Sequence, residues 1–263
     1  MREYHIRMEA LHIAPGEGDA LGSFGSMFVH GMQHIQGGTD HQLFLLTLLL
    51  VAPLMASGRR WAGAARVKDA VRRIAAMTLA FTVGHSVTLA LGTLGVPVPT
   101  GPIEALIAVS ILVAAAHAIA PIFPGKETFV AGFFGLIHGL AFSNTLREFD
   151  LSGLNLGLSL LAFNLGIEAM QLAVVGLVLP PLILIARAGR YTILRLVAAS
   201  VSAVAAVGWL LARLGLPNTV GDVADRFGLV SLPALVVLLW IAALLSFSFA
   251  REQDATVAVR RVE

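Results

Sequence analysis

His30, His34, Asp40 and His41 fall within HGMQHIQGGTDHQLFLLTLLL, residues 30–50, at the mouth of an almost wholly apolar run. His30 and His34 lie one helical turn apart, so on a helix their imidazoles share a face. Asp40 and His41 follow the break at Gly37-Gly38-Thr39. Imidazole and carboxylate side chains together suit a first-row divalent metal. Ionisable residues at a membrane boundary are costly enough to imply function. The plainer alternative is a set of interfacial polar residues capping a helix.

Further polar groups sit inside apolar segments. His85 lies in FTVGHSVTL and His138 in FFGLIHGLAFSNTL, each near the middle of its run. Gly132, Gly135 and Gly139 leave the helix around His138 with a nearly bare face, which lets a neighbouring helix come close. FNLGIEAMQL sets Asn164, Glu168 and Gln171 at i, i+4 and i+7, one polar stripe on an apolar helix. A carboxylate at that depth needs a cation or a proton, so Glu168 is expected to bind metal or to couple protons. His117 and Glu104 stand near opposite ends of another run, and each also fits an ordinary interfacial role. Ordered by depth, His30, His34, Asp40, His41 and Glu104 are expected outside. His85, His138, Asn164 and Glu168 are expected at the centre, with Gln171 beyond them and His117 inside, as a graded conduit.

The elements that must position these groups are membrane helices. The 263-residue chain is 57% hydrophobic and 13% charged, with a mean hydropathy of +0.83, where a soluble domain has roughly a quarter of its residues charged. The expected fold is an all-α polytopic transmembrane bundle. Its spans are placed at about 41–57, 74–96, 103–123, 128–146, 154–186, 192–214 and 229–250, the fifth tilted or broken near Pro180-Pro181. Residues 21–36 are short for a crossing, and a short outer interfacial or re-entrant helix is expected there. A polar tail over 1–20, a single membrane domain over 21–250 and a polar tail over 251–263 complete the organisation. The first twenty residues lack the apolar core of a signal peptide. His5 and His12 in that tail can pre-collect metal, although stray tail histidines usually do nothing.

Thirteen of the eighteen Lys and Arg residues fall on one side of these spans, six of them in the 58–73 loop. That side is expected in the cytoplasm of a bacterial inner membrane, with the amino terminus outside and the carboxyl terminus inside. If the short first segment does cross, the seven spans become eight and the amino terminus moves to the cytoplasm. The formal charge of +2 is confined to loops and does not point to nucleic acid. Zero cysteines exclude disulfides, thiolate sites and iron–sulfur clusters. No phosphate-binding G-x-x-x-x-G-K-[ST] loop, H-E-x-x-H, G-x-S-x-G or voltage-sensing arginine ladder is present.

Four ordered motifs carry a resemblance. Residues Gly31 to Leu46 (G-x-x-H-I-x-x-G-x-D-H-x-L-F-L-L), Phe81 to Leu89, Phe134 to Phe142 and Phe163 to Glu168 together resemble the HupE/UreJ family of bacterial membrane proteins. The resemblance runs from about Phe24 to Leu177, with further apolar segments beyond it. It implies a secondary permease for nickel or cobalt, with zinc, iron or copper as other ions the same donors accept. It carries over His30, His34, Asp40, His41, His85, His138 and Glu168 as candidate metal ligands. The expected partners are the metal ion and the bilayer, and a homo-oligomer is compatible with both. The competing reading is an intramembrane metalloenzyme with a fixed mono- or dinuclear site. A third is a haem or metal-sensing subunit with histidines paired across helices. One closed site favours the fixed-metal readings; sites spread by depth favour transport.

Overall fold

A computed structural model describes residues 20–93, 99–147 and 153–260. The tail expected over 1–19 and the last three residues of the carboxyl-terminal tail lie outside the described residues. In chain order the elements are α1 (Ala20–Gly37), α2 (Thr39–Leu49), a hairpin of β1 (Leu54–Ser57) and β2 (Arg60–Ala64), α3 (Val67–Thr93), α4 (Thr100–Ile119), α5 (Glu127–Arg147), α6 (Gly153–Arg187), α7 (Tyr191–Arg213) and α8 (Thr219–Arg260). Four helices are long and apolar enough to cross a membrane: Val67–Gly92, Thr100–Ile119, Asn155–Arg187 and Tyr191–Arg213. Glu127–Ala141 and Leu232–Ser248 are shorter apolar helices. Large apolar side chains cover the exterior, with Phe129 78% and Ile193 76% exposed, a surface suited to lipid. The protein is a helical membrane protein.

The expected span over 41–57 does not form. α2 ends after eleven residues, too short to cross, and the chain turns through Leu50–Pro53 into the hairpin. Pro53 cannot continue a helix, and Gly58 takes a positive φ of 58° in the two-residue hairpin turn. The carbonyls freed by this break are taken up one by one. Tyr191 Oη donates to Leu50 O at 2.9 Å, and Arg73 Nη1 donates to Val51 O at 3.1 Å and Leu54 O at 2.7 Å. Backbone groups inside an apolar bundle must be satisfied in this way. By contrast α6 continues through Pro180 and Pro181 without a break.

Helix pairing is set by glycine. α3 and α5 run parallel: Ala80 lies beside Gly132 and His85 beside Gly139. A Cβ on Gly135 would meet Phe81 O at 2.2 Å, and one on Gly139 would meet His85 O at 2.2 Å. α1 and α6 close on each other just as tightly, through Gly31 against the Phe163 carbonyl and Gly166 against the Phe28 carbonyl. The His34 ring packs on Phe163, 5.5 Å between centroids. α4 packs on α7, and α8 lies against α6 and α7. α1 passes into α2 through the single extended residue Gly38, across which Gly38 N–H still reaches His34 O and Gln42 N–H reaches Gly38 O, each at 3.0 Å. α2 then leads toward the end of the bundle that holds Arg60, Arg66, Arg72 and Arg73.

The glycine contacts make a direct prediction. Gly135→Ala should destabilise the protein by about 1–3 kcal/mol, the usual cost of overpacking, because the clash is with backbone. Gly157→Ala, with nothing within 4 Å of its Cβ, should be neutral or slightly stabilising through helix propensity. Thermal unfolding in detergent separates the two, and equal midpoints for both variants would contradict the packing account.

Candidate metal centre

Four helices, α1, α2, α3 and α5, carry candidate ligands to one level. The ion pair between Arg73 Nη2 and Glu127 Oε1, 2.8 Å, ties the basic ends of α3 and α5. From that tie His85 lies about 18 Å up α3 and His138 about 16 Å up α5, at ~1.5 Å per residue. α1 brings His34 to the break at Gly38, and α2 begins there with Asp40 and His41. Gly38 fits this break because its Cβ would lie 2.8 Å from His34 O and 3.1 Å from His41 Nδ1.

The result is a cluster of four imidazoles. Ring centroids are 4.6 Å apart for His34–His41, 5.9 Å for His34–His85, 6.2 Å for His41–His85 and 4.9 Å for His41–His138. One ring nitrogen from each of His34, His41 and His85 lies within 4.8 Å of the other two. A tetrahedral ion with metal–nitrogen bonds of about 2.0–2.1 Å needs nitrogens roughly 3.4 Å apart, so the rings need close only modestly. Phe44, Phe81 and Phe163 pack around the rings.

Hydrogen bonding fixes which nitrogens face the centre. His41 Nδ1 lies 3.0 Å from Asp40 Oδ1, which also accepts the His41 backbone N–H at 2.8 Å. The ring hydrogen therefore sits on Nδ1, leaving the Nε2 lone pair inward. Ser110 on α4 donates its only hydroxyl hydrogen to Ile107 O at 2.7 Å. Its oxygen must then accept from His138 Nε2, 2.9 Å away, which leaves His138 Nδ1 as a lone pair. Among the described residues, His41 Nε2, His138 Nδ1 and both ring nitrogens of His85 are buried without a hydrogen-bond partner. Native interiors rarely leave such atoms unsatisfied. These donors suit a borderline-soft divalent metal.

Residues 13–213 match the family described as HupE / UreJ protein. The chain belongs to the HupE/UreJ family. Nothing among curated proteins and nothing among solved structures matches it. That family supports a role in metal transport or in urease or hydrogenase assembly, and within this HupE/UreJ chain the four-histidine cluster is where a metal fits.

The other expected site residues fall elsewhere. His30, one turn before His34, is not among the three close ligands. Asp40 serves His41 through its Oδ1 and stays partly exposed. Glu168 stands apart from the cluster, bonded to Thr82, while Asn164 lies beside His85 without closing a hydrogen bond to it. Glu104 pairs with Arg213 Nε at 3.1 Å on the surface. His117 Nδ1 accepts the backbone N–H groups of Ile122 and Phe123 at 3.0 and 3.3 Å, and its ring stacks on Phe123 at 3.8 Å. Its remaining nitrogen, which bears the hydrogen, points at Glu127 Oε1, 3.6 Å away. His117 therefore holds the α4–α5 connection. The expected ladder of sites by depth is replaced by convergence: His34 and His41 share the level of His85 and His138.

Two participants escaped the sequence reading. Ser110 is a lone hydroxyl in an apolar run, with no spacing to tie it to His138. Thr82 lies three residues before His85, a spacing that was visible but unused. As positioning residues, Ser110 and Asp40 should behave alike. Ser110→Ala and Asp40→Asn should each weaken Co²⁺ binding by about 10–100-fold, the usual cost of losing a group that orients a metal-ligating histidine. Ser110→Thr should restore it. Visible absorption during Co²⁺ titration reads this, and wild-type affinity in both deletions would remove the tautomer argument.

Proposed function

We propose that this protein is a secondary permease that moves Ni²⁺ or Co²⁺ across the bacterial inner membrane through the four-histidine centre. The observation that carries the reading is the convergence of His34, His41, His85 and His138, with buried ring nitrogens of His41, His85 and His138 that have no hydrogen-bond partner among the described residues. A substrate site well inside the bilayer is where secondary transporters hold their cargo. His34, His41 and His85 are the first ligands and His138 the fourth, with Asp40 and Ser110 orienting two of them. The ion exchanges its water shell for imidazole nitrogens beside the Gly38 break. Two charges falling through 100 mV gain about 4.6 kcal/mol, which concentrates an ion roughly a thousandfold.

The excess of Lys and Arg favours the basic end as cytoplasmic. The amino terminus is accordingly proposed outside and the carboxyl terminus inside.

A fixed metal centre is the second reading, and a specific observation favours it: the histidines form one buried cluster, not sites spread by depth. Metal content before and after mild chelation decides between them, with His41→Ala and His138→Ala alongside. Stoichiometric metal that survives chelation and is absent from both variants would exclude the permease reading. Easily removed Ni²⁺ or Co²⁺, weakened by each variant, together with uptake into proteoliposomes that both variants abolish, is the expected outcome.

A further inference from the structure

One turn toward the basic end from His85, a second polar group crosses the α3–α6 seam. Thr82 Oγ1 lies 2.5 Å from Glu168 Oε2 and 3.2 Å from Gln171 Oε1. Thr82 and Gln171 are buried and Glu168 is half-buried. All three donors are oxygen, unlike the nitrogen centre above them. A set of carboxylate, hydroxyl and amide oxygens has little claim on a borderline-soft metal but suits a proton.

The hydrogen count is what makes the group informative. A threonine hydroxyl has one hydrogen, yet Thr82 touches two acceptors. With Glu168 ionised, that hydrogen goes to Oε2 and the contact with Gln171 Oε1 contains none. When Glu168 gains a proton, the carboxyl O–H donates to Thr82 Oγ1, and Thr82 turns to donate to Gln171 Oε1. Both contacts then carry a hydrogen. With Gln171 Oε1 facing Thr82, the chain of three oxygens is complete in the protonated state, and releasing the proton reverses the direction of the Thr82 hydroxyl.

Resting on the transport reading, we propose that Glu168, Thr82 and Gln171 form a proton-binding site separate from the metal centre, which exchanges one proton for each metal ion carried. Glu168 loses H⁺ to become carboxylate when the dication occupies the histidines, and regains it when the metal leaves. Among the described residues Glu168 has no ion-pair partner. The helices packed on α6 present His30 and His34 from α1, Asp40 and His41 from α2, and His85 from α3. At the basic end of α3 stand Lys68, Asp69, Arg72 and Arg73, with Arg60 in β2. On α7, Tyr191 and Arg195 are engaged with backbone carbonyls and Arg213 with Glu104. Asp222, Asp225 and Arg226 belong to the start of α8. The charge closest along the seam is thus the metal itself at His85, and it links the two sites electrostatically.

The test uses the full chain in phosphatidylethanolamine–phosphatidylglycerol liposomes, with a Co²⁺ gradient outside and a pH-sensitive dye inside. Wild type should move protons outward as Co²⁺ enters. Glu168→Gln should abolish that movement and flatten the pH dependence of uptake by about tenfold, an ordinary coupling between linked sites. Its Co²⁺ affinity at the histidines should match that of wild type at low pH, be about tenfold weaker than wild type at high pH, and no longer change with pH. Thr82→Val should act in the same direction and Thr82→Ser should restore coupling. A Glu168→Gln variant with the wild-type pH profile overturns the proposal. So does one that loses Co²⁺ affinity as severely as His85→Ala, because Glu168 would then belong to the metal site. Infrared difference spectra in detergent give an independent readout. A protonated-carboxyl C=O band that responds to Co²⁺ and vanishes in Glu168→Gln supports the proton site even if no uptake occurs, an outcome that sinks only the transport reading. Absence of that band overturns the site.

Discussion

Backbone-to-backbone contact at glycine is the constraint on which the rest of this structure depends. Where α3 meets α5, a methyl group on Gly139 would lie 2.2 Å from the carbonyl oxygen of His85 itself. The same residue neighbours His138 in sequence. The separation of two histidine-bearing helices is therefore fixed at the site and not inherited from a distant core. Gly31 and Gly166 do the same for α1 and α6, which brings His34 to the level of Asn164 and His85. In lipid there is no hydrophobic drive to hold helices together, so close approach and dispersion must supply it. The glycines meet that need and position the ligands in one stroke.

The second constraint is the cost of bare backbone in an apolar interior. Ending α2 at Leu49 frees carbonyls that a continuous span would have kept in helical bonds. Tyr191 and Arg73 take these up, and Arg195 Nη1 does the same for Ala118 and Ile119 at the end of α4. Arg73 also holds Glu127, so one guanidinium joins the end of α2, the hairpin and the start of α5. The basic residues of this end thus have an internal function besides orienting the chain. Because α2 stops short, its first turn can meet α3 and α5 at mid-depth, where a full crossing from residue 41 would have left His41 at the surface.

Much of this was legible in the sequence, and the failures have definite causes. Helices α3, α4, α6 and α7 follow from runs whose length and apolarity match a bilayer. The metal-binding histidines follow from their types, since an imidazole in such a run demands a partner. Depth did not follow. HQLFLLTLLLVAPLMAS reads as a span because hydropathy is blind to the side chains, elsewhere in the chain, that satisfy a broken helix. Placing His41 at the outer end of that span pushed His34 and Asp40 outward with it. Because α2 begins beside His85 and His138, the graded conduit collapses into one cluster. His117 and Glu104 looked like steps on a path for the same reason, and each proves to be bonded to neighbouring structure. Ser110 carries no periodic signal, because its role depends on a helix that is distant in sequence.

The charge balance of the centre bears on what it can do. Four neutral imidazoles bring no negative charge to a dication, and zero cysteines rule out thiolate compensation. Asp40 is the acid bonded to one of the four rings, and its side chain is 35% exposed. Metal affinity rises with the number of charged ligands and the rigidity of the site, and a doubly positive ion in a low-dielectric interior with little compensation is held loosely. Three histidines alone can nevertheless hold zinc as a permanent catalytic ligand set, so on the proposed transport reading the release of the ion must come from outside the four rings. There a carboxylate one turn farther along the seam adds compensation when it is ionised and withdraws it when protonated.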